Sequence, residues 1–275
     1  MTQLSTQYPE AVRPQLIVPH NGRELTFLYP AYGPSAYDVV GSIIGGNNLK
    51  RPTMEETASF LHTASDLGGM HSEKIIEPIR DYTWSEKYSG KEWFLNVLYK
   101  SFSKEIVDTE IRRVREGSWL WVYSRSRFQL NPTKGVFVYD EEERERFDPH
   151  SNGELEKMLS SKERFGVTYS DDEALRFAPP GYRTGEMTHS QLVDNTYLIA
   201  LTRSREGAEK LAEFAAKYAD NSCLFSFDFG TLESVLRRTG HFLTIGSSVG
   251  FRSNSFHVNI EPGHHSGGRA FGLLR

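Results

Sequence analysis

The chain holds a single cysteine, Cys223, in 275 residues. No internal disulfide can form, so the fold must be held by an apolar core, and the class of small disulfide-stapled secreted domains is excluded. Hydrophobic residues make up 38% of the chain and charged residues 25%, which is typical of a globular protein with a sizeable core. We therefore expect residues 1–275 to form one elaborated domain.

Charge and hydropathy count against two further classes of protein. The formal net charge of -4 does not provide the positive field that nucleic-acid binding usually needs. Residues 1–10 are polar and lack the apolar stretch of a signal peptide. No window holds about 18 uncharged apolar residues, so we expect no membrane insertion and, by default, a cytoplasmic location.

Turn and capping signals predict the first elements. The apolar segments 16–18 and 25–29 flank Asn21-Gly22, a pair that favours a tight β-hairpin. Thr53 and Glu56 have the spacing of a capping box at the start of a helix. Helical spacing of apolar residues predicts two further helices, over 35–44 and 90–102.

The second half of the chain reads mainly as strands. Strands are predicted over 119–123, 135–139, 197–201, 242–245, 256–260 and 269–274. Ser204 is placed to cap a helix that runs to Tyr218. The acidic run 140–145 is typical of a solvated loop or a short exposed helix and not of a cation site. Helices early and strands late indicate an α+β fold.

The C-terminal segment 221–275 has an unusual composition. It contains no Lys, Gln, Met, Trp or Tyr, and is rich in Ser, Gly, Phe, Arg, His and Asn. Bulky contact residues interleaved with small adaptable ones resemble a recognition surface. Phe256 could equally be a strand residue that faces the core, and Phe271 is expected in a final buried strand.

Three landmarks along the chain resemble one lineage. The helix start RPTMEETASFL at 51–61 is similar to the Leu-Pro-Thr-x-x-Glu signature of bacterial lectin-like domains. The segment GSWLWVYSRS at 117–126 resembles their Trp-Ser-Ser-Thr strand, and GGRAFGLLR at 267–275 resembles their Gly-Phe-Arg-x-x-Arg closing strand. The resemblance implies a C-type lectin-like fold of the formylglycine-generating-enzyme type, with a helical N-terminal half and insertions.

Within that group the chain resembles the variable proteins of diversity-generating retroelements. In that family, mutagenesis directed at adenines rewrites a C-terminal variable region, chiefly at Asn-type codons. Such codons yield Phe, Ser, His, Arg, Gly, Leu and Asn but not Lys, Gln, Glu, Met or Trp, which agrees with segment 221–275 if Glu233 and Glu261 are unvaried. The resemblance implies a non-enzymatic binding protein with massive sequence variation and a macromolecular partner, expected to be protein.

The resemblance places the variable, ligand-contacting face between Gly246 and Ser266. Phe251 and Phe256 would be apolar anchors and Arg252 a planar donor. This interpretation requires residues 247–257 to face water. The expected contact residues are Ser247, Ser248, Phe251, Arg252, Ser253, Asn254, Ser255, Phe256, His257, His264 and His265.

Three other functions stay open. His257, His264 and His265 could form the metal site of an enzyme, although no HExxH spacing is present. Cys223 could pair with His241 or His257 as a nucleophile. Formylglycine chemistry needs two cysteines and is chemically unavailable. A nucleic-acid patch could be made by Arg112, Arg113, Arg115, Arg125, Arg127, Arg237 and Arg238, but neighbouring carboxylates favour a salt-bridged helix face. No cofactor, metal or catalytic residue is expected.

Overall fold

A computed structural model describes residues 15–67, 119–131, 135–179, 185–218, 223–226, 244–252, 255–261 and 268–274. The predicted helix over 90–102 lies outside these ranges.

The described residues form twelve strands and seven α-helices. The strands are β1 (Gln15–His20), β2 (Arg23–Ser35), β3 (Trp119–Asn131), β4 (Gly135–Asp140), β5 (Leu159–Arg164), β6 (Val167–Ser170), β7 (Arg176–Ala178), β8 (Gly185–Met187), β9 (Cys223–Ser226), β10 (Thr244–Arg252), β11 (Ser255–Glu261) and β12 (Gly268–Leu273). The helices are α1 (Tyr37–Gly46), α2 (Met54–Leu67), α3 (Arg144–Phe147), α4 (Asn152–Met158), α5 (His189–Val193), α6 (Thr196–Thr202) and α7 (Arg205–Tyr218), with a 3-10 turn over Glu141–Glu143.

The strands join into one extended mixed sheet. Its main path runs β5-β6-β7-β4-β3-β10-β11-β9-β8, and the β1–β2 hairpin is joined to it through β12. Strand β12 pairs antiparallel with β2 and parallel with β3, where Arg269 lies opposite Val122. From β5 to β11 every neighbouring pair is antiparallel, so successive connections alternate between the two ends of the sheet.

The predicted C-type lectin-like fold with a helical N-terminal half is wrong. The described N-terminal part opens on two paired strands, the second thirteen residues long, and the chain builds a far more extensive sheet than expected. Only the coarse α+β description applies. The landmarks misled because each is a short local pattern: a capping box and an aromatic strand specify an element and leave open which strands become its neighbours.

The core lies between the sheet and helices α2, α6 and α7. Rings from three distant segments meet there: Phe60 lies 4.8 Å from Phe27 and 4.3 Å from Phe271, measured between centroids. Phe271 lies in a buried final strand, as predicted. Such aromatic contacts add to the stabilisation from apolar burial. Sheet and helices are held together by this shared core.

Most local predictions are confirmed. Strands β1 and β2 pair through a two-residue turn at Asn21-Gly22, whose φ angles of 47° and 75° suit that turn. The Thr53 Oγ1 accepts from the Glu56 N–H at 3.1 Å, and the Glu56 Oε2 accepts from the Thr53 N–H at 2.8 Å. The Ser204 hydroxyl accepts from the Gly207 N–H at the start of α7.

The predicted strand over 197–201 is instead helix α6. The Asn195 side chain caps it by accepting from the N–H groups of Tyr197 and Leu198. Every residue of 197–202 is buried. A helix buried all round shows no polar face, so its sequence lacks the helical period and reads as an apolar strand. Among the described residues, no helix is long and apolar enough to span a membrane.

Candidate functional site

Strands β10 and β11, which carry most of the predicted contact residues, lie inside the sheet. Strand β10 lies between β3 and β11, and β11 lies between β10 and β9, so neither strand is at an edge. Ser247 and Ser248 are fully buried, Phe256 is 1% exposed and His257 4%. The expectation that these four side chains face water is wrong.

Contacts explain the burial of these residues. The Ser247 hydroxyl donates to the Ser126 carbonyl at 2.7 Å and lies 2.5 Å from the Ser124 hydroxyl. The Phe256 ring packs edge-on against Phe214 of α7, with centroids 5.6 Å apart. Ser247 is thus a satisfied polar group of the frame, and Phe256 is an anchor of the core instead of a ligand contact.

The other seven predicted contact residues are Phe251, Arg252, Ser253, Asn254, Ser255, His264 and His265. Their side chains lie outside the described part of the structure. The backbone register pairs Arg252 with Ser255, so Ser253 and Asn254 are the two residues that connect β10 to β11. Along the chain, Val249 lies four positions before Ser253, and Phe256 lies two positions after Asn254.

The rival sites have little support in the described residues. His257 is buried, while His264 and His265 lie outside the described ranges, as do Arg112, Arg113, Arg115, Arg237 and Arg238. The two described arginines of the predicted nucleic-acid patch are paired with carboxylates, Arg125 with Glu56 and Arg127 with Glu141. Within the described residues, no group of three His, Cys, Asp or Glu side chains could hold a metal ion. Cys223 is in strand β9, but its side chain is outside the described part.

A buried ionic cluster was missed by sequence reasoning. Asp140 ends β4 at 3% exposure, and its carboxylate contacts Arg203 and lies 3.5 Å from Arg176 and 2.9 Å from the Ser126 hydroxyl. Burial alone would raise the pKa of Asp140, but the two guanidinium groups outweigh it and hold the pKa at about 2. The prediction of a solvated loop is wrong for Asp140, because the strand end places it under α6.

A polar groove is the second feature that sequence reasoning missed. Its lining includes His20, Arg23, Glu24, Glu206 and Lys210. It runs between the β1–β2 turn and the first turns of α7, with a volume of about 510 Å³. The sequence gives only a weak indication of this groove, because its lining residues come from segments nearly two hundred positions apart.

Two hydrogen bonds beside the groove join Lys210, Ser59 and His20. The Ser59 hydroxyl lies 3.4 Å from the Lys210 Nζ and 3.0 Å from the His20 Nδ1. An ammonium group only donates, so the Ser59 hydroxyl accepts from Lys210, while the direction of its hydrogen bond with the His20 Nδ1 follows the histidine tautomer. Burial lowers the pKa of His20 below 6.5, against the opposing charge of Glu55.

The residues at this groove resemble those of a catalytic nucleophile site, but a substrate could not reach the serine. The Nε2 of His20 is 4.0 Å from the Glu55 carboxylate, so a serine, a histidine and a glutamate lie side by side in space, as in a catalytic triad. Ser59, however, is only 2% exposed, and it does not line the groove. Since a nucleophile must reach its substrate, the geometry does not support acyl transfer at Ser59.

Comparison with protein-family models, with curated proteins and with solved structures found no match to this chain.

Proposed function

We propose that this chain is a non-covalent binding protein that recognises a macromolecular partner, and that the partner is a protein. The contact positions are the connection between β10 and β11, with Phe251, Arg252, Ser253, Asn254 and Ser255, and the segment after β11 that holds His264 and His265. The four buried residues Ser247, Ser248, Phe256 and His257 belong to the frame and are not contact positions.

The burial of the hairpin next to this connection carries the proposal. In β10, Ser247, Ser248 and Val249 are fully buried. In β11, the exposed fractions of Phe256 and Val258 are 1% and 2%. These strands are held on both sides by β3 and β9. A recognition segment that varies needs a frame whose stability comes from other residues, and a connection joined to interior strands meets that need.

The family resemblance extends the proposal to diversification. A retroelement would then rewrite the connection and the segment after β11, while the frame positions stay constant. The neighbouring DNA would hold a reverse transcriptase and a near-copy of the 3′ coding segment that differs at adenines. Sequencing that neighbourhood tests this extension without any assay of binding.

The binding proposal is tested with two libraries of the full chain. One randomises Phe251, Arg252, Ser253, Asn254 and Ser255, and the matched control randomises the frame positions Ser247, Ser248, Phe256 and His257. We expect most members of the first library to stay folded, with melting temperatures within a few degrees of the parent, since exposed substitutions cost about 0.5 kcal/mol or less.

Binding is then selected against one stable protein, hen lysozyme. We expect binders from the first library only. Widespread unfolding of the first library, or an equal yield of folded members from both, would contradict the proposal. A folded first library that repeatedly yields no binder would also contradict it.

A further inference from the structure

The sequence contains two Asn-Gly pairs, Asn21-Gly22 and Asn152-Gly153. Such a pair is chemically labile, because the backbone nitrogen of the glycine can attack the side-chain carbonyl carbon of the asparagine, and glycine has no side chain to obstruct the approach. At both glycines an added Cβ would meet nothing within 4 Å. The difference between the two pairs therefore lies in how the fold holds the asparagine.

Asn21 is exposed and weakly held. Asn21 and Gly22 form the turn between β1 and β2, and the strand register pairs His20 with Arg23, so both turn residues lie outside the paired strands. The Asn21 Nδ2 donates to the Glu55 Oε1 at 3.1 Å, at an exposed position. A hydrogen bond in contact with water is readily exchanged for one to water, so its net strength is small. The Asn21 amide can consequently turn toward the Gly22 nitrogen at little cost.

Asn152 is held at both ends of its amide. It is the first residue of α4, and a capping box fixes the start of that helix. The Asn152 Nδ2 donates to the Leu130 carbonyl at 3.2 Å, and its Oδ1 accepts from the Gln129 Nε2 at 2.8 Å. Gln129 is fully buried. Turning the Asn152 amide toward the Gly153 nitrogen would break both hydrogen bonds, one of them with a buried partner, which makes the attack costly.

We propose that Asn21 is a modification site that deamidates spontaneously, with water as the co-reactant, and that the fold protects Asn152. The Gly22 nitrogen bonds to the Asn21 Cγ, the Cγ–Nδ2 bond breaks, and ammonia leaves with the proton of the Gly22 amide. Water then opens the resulting succinimide at either carbonyl and gives aspartate or isoaspartate at position 21. Nothing is oxidised or reduced. The inference goes beyond the proposed function and does not depend on it.

Deamidation would release the turn from helix α2. The Asn21 amide donates to Glu55, whereas a carboxylate at position 21 would face the Glu55 carboxylate with the same charge. Isoaspartate would also add a carbon atom to the backbone of a turn whose two residues have φ angles of 47° and 75°. A two-residue turn of this type has no room for an extra backbone atom unless its strands move. The product therefore loosens one wall of the polar groove, which Asn21 and Gly22 help to line.

The first experiment measures both sites in one protein. The full chain is incubated at neutral pH in water enriched in oxygen-18, and its peptides are mapped by mass spectrometry, because each deamidation incorporates a heavy oxygen. We expect separate aspartate and isoaspartate peptides from Asn21, and conversion of Asn152 that is slower by at least about tenfold. The matched control is the same protein in urea, where loss of the fold should bring the two rates close together.

Four results of this experiment would overturn the proposal. In the folded protein they are equal rates at the two sites, faster conversion of Asn152, or an Asn21 that stays intact although it converts in urea. The fourth is a difference between the sites that persists unchanged in urea, because the neighbouring sequence and not the fold would then set the rates.

The second experiment measures the effect of the new charge on the turn. We compare melting temperatures of the wild type, Asn21→Asp, Glu55→Gln and the double variant. Asn21→Asp should lower the melting temperature by about 2–4 °C. In the double variant the glutamine amide can donate to the aspartate, so Asn21→Asp should cost much less in the Glu55→Gln background. An unchanged melting temperature for Asn21→Asp, or the same loss in both backgrounds, would overturn the release of the turn from α2.

Discussion

Asp140 shows how one buried carboxylate organises three segments of the chain. It ends β4, accepts from the Ser126 hydroxyl of β3, and contacts Arg203 at the C-terminal end of α6. The Ser126 hydroxyl in turn accepts from the Met54 N–H at 3.0 Å, at the start of α2. A single charged side chain thereby joins two strands and two helix ends.

Replacing Asp140 by Asn should destabilise the protein strongly. Arg176 is fully buried, and the substitution would leave its charge without a carboxylate. Breaking a buried pair in this way costs about 3–5 kcal/mol. Urea unfolding measures the change, with the exposed Glu145→Gln as the control, for which no cost is expected. A cost below about 1 kcal/mol would show that Arg176 has another source of compensation.

His20 should make stability depend on pH. Burial lowers its pKa in the folded protein below the 6.5 of the unfolded chain, so the unfolded chain binds a proton more readily. The stabilisation is present above pH 6.5 and is lost as the pH falls through the lowered pKa. We expect the free energy of unfolding to drop more between pH 7.5 and 5.5 in the wild type than in His20→Gln. The half-exposed His150→Gln is the control, and identical pH profiles for all three proteins would contradict the prediction.

At the scale of elements, the capping box at the start of α2 gives a direct test. Thr53→Ala removes the hydroxyl that accepts from the Glu56 N–H, and such a change costs about 1 kcal/mol. Thr53→Ser keeps the hydroxyl and should retain most of the stability. Both are measured by chemical unfolding. Equal losses in the two variants would mean that the methyl group of Thr53, which is also buried, matters more than the cap.

Elements that depend on near neighbours in sequence were predicted well from the sequence, and those that depend on distant contacts were not. The Asn21-Gly22 turn, the Thr53 cap and the Ser204 cap involve residues within three positions of each other. Helix α6 and the burial of Ser247 depend instead on what the sheet and the other helices place around them. The sequence of β10 is compatible with an exposed hairpin. Only the positions of β3 and β9 beside the hairpin make it an interior one.

The candidate sites divide in the same way. The sequence identified the β10–β11 region by its composition, but could not separate its buried frame from its connection. The Lys210, Ser59 and His20 chain was missed because it joins a strand and two helices that are far apart in sequence.

At the scale of the whole molecule, β12 joins the N-terminal strands to the main sheet, and its glycines allow close packing there. A Cβ on Gly268 would lie 1.9 Å from the Tyr123 Cζ. We expect Gly268→Ala to lower the melting temperature by more than 10 °C or to abolish soluble expression, because the ring sits inside the core. Gly45→Ala is the control, since nothing lies within 4 Å of its Cβ position and alanine favours helix α1. A soluble Gly268→Ala protein with an unchanged melting temperature would contradict this role of β12.

The pairing of β12 with β2 also sets an order of events during synthesis. Arg269 donates to the Gly33 carbonyl across a separation of 236 residues. A growing chain exposes β2 early, but its partner strand β12 is synthesised more than two hundred residues later. Until then one edge of β2 has no strand to pair with, and such an edge invites association with other chains. Ribosome-bound chains that end before residue 268 should therefore depend on chaperones far more than the released protein.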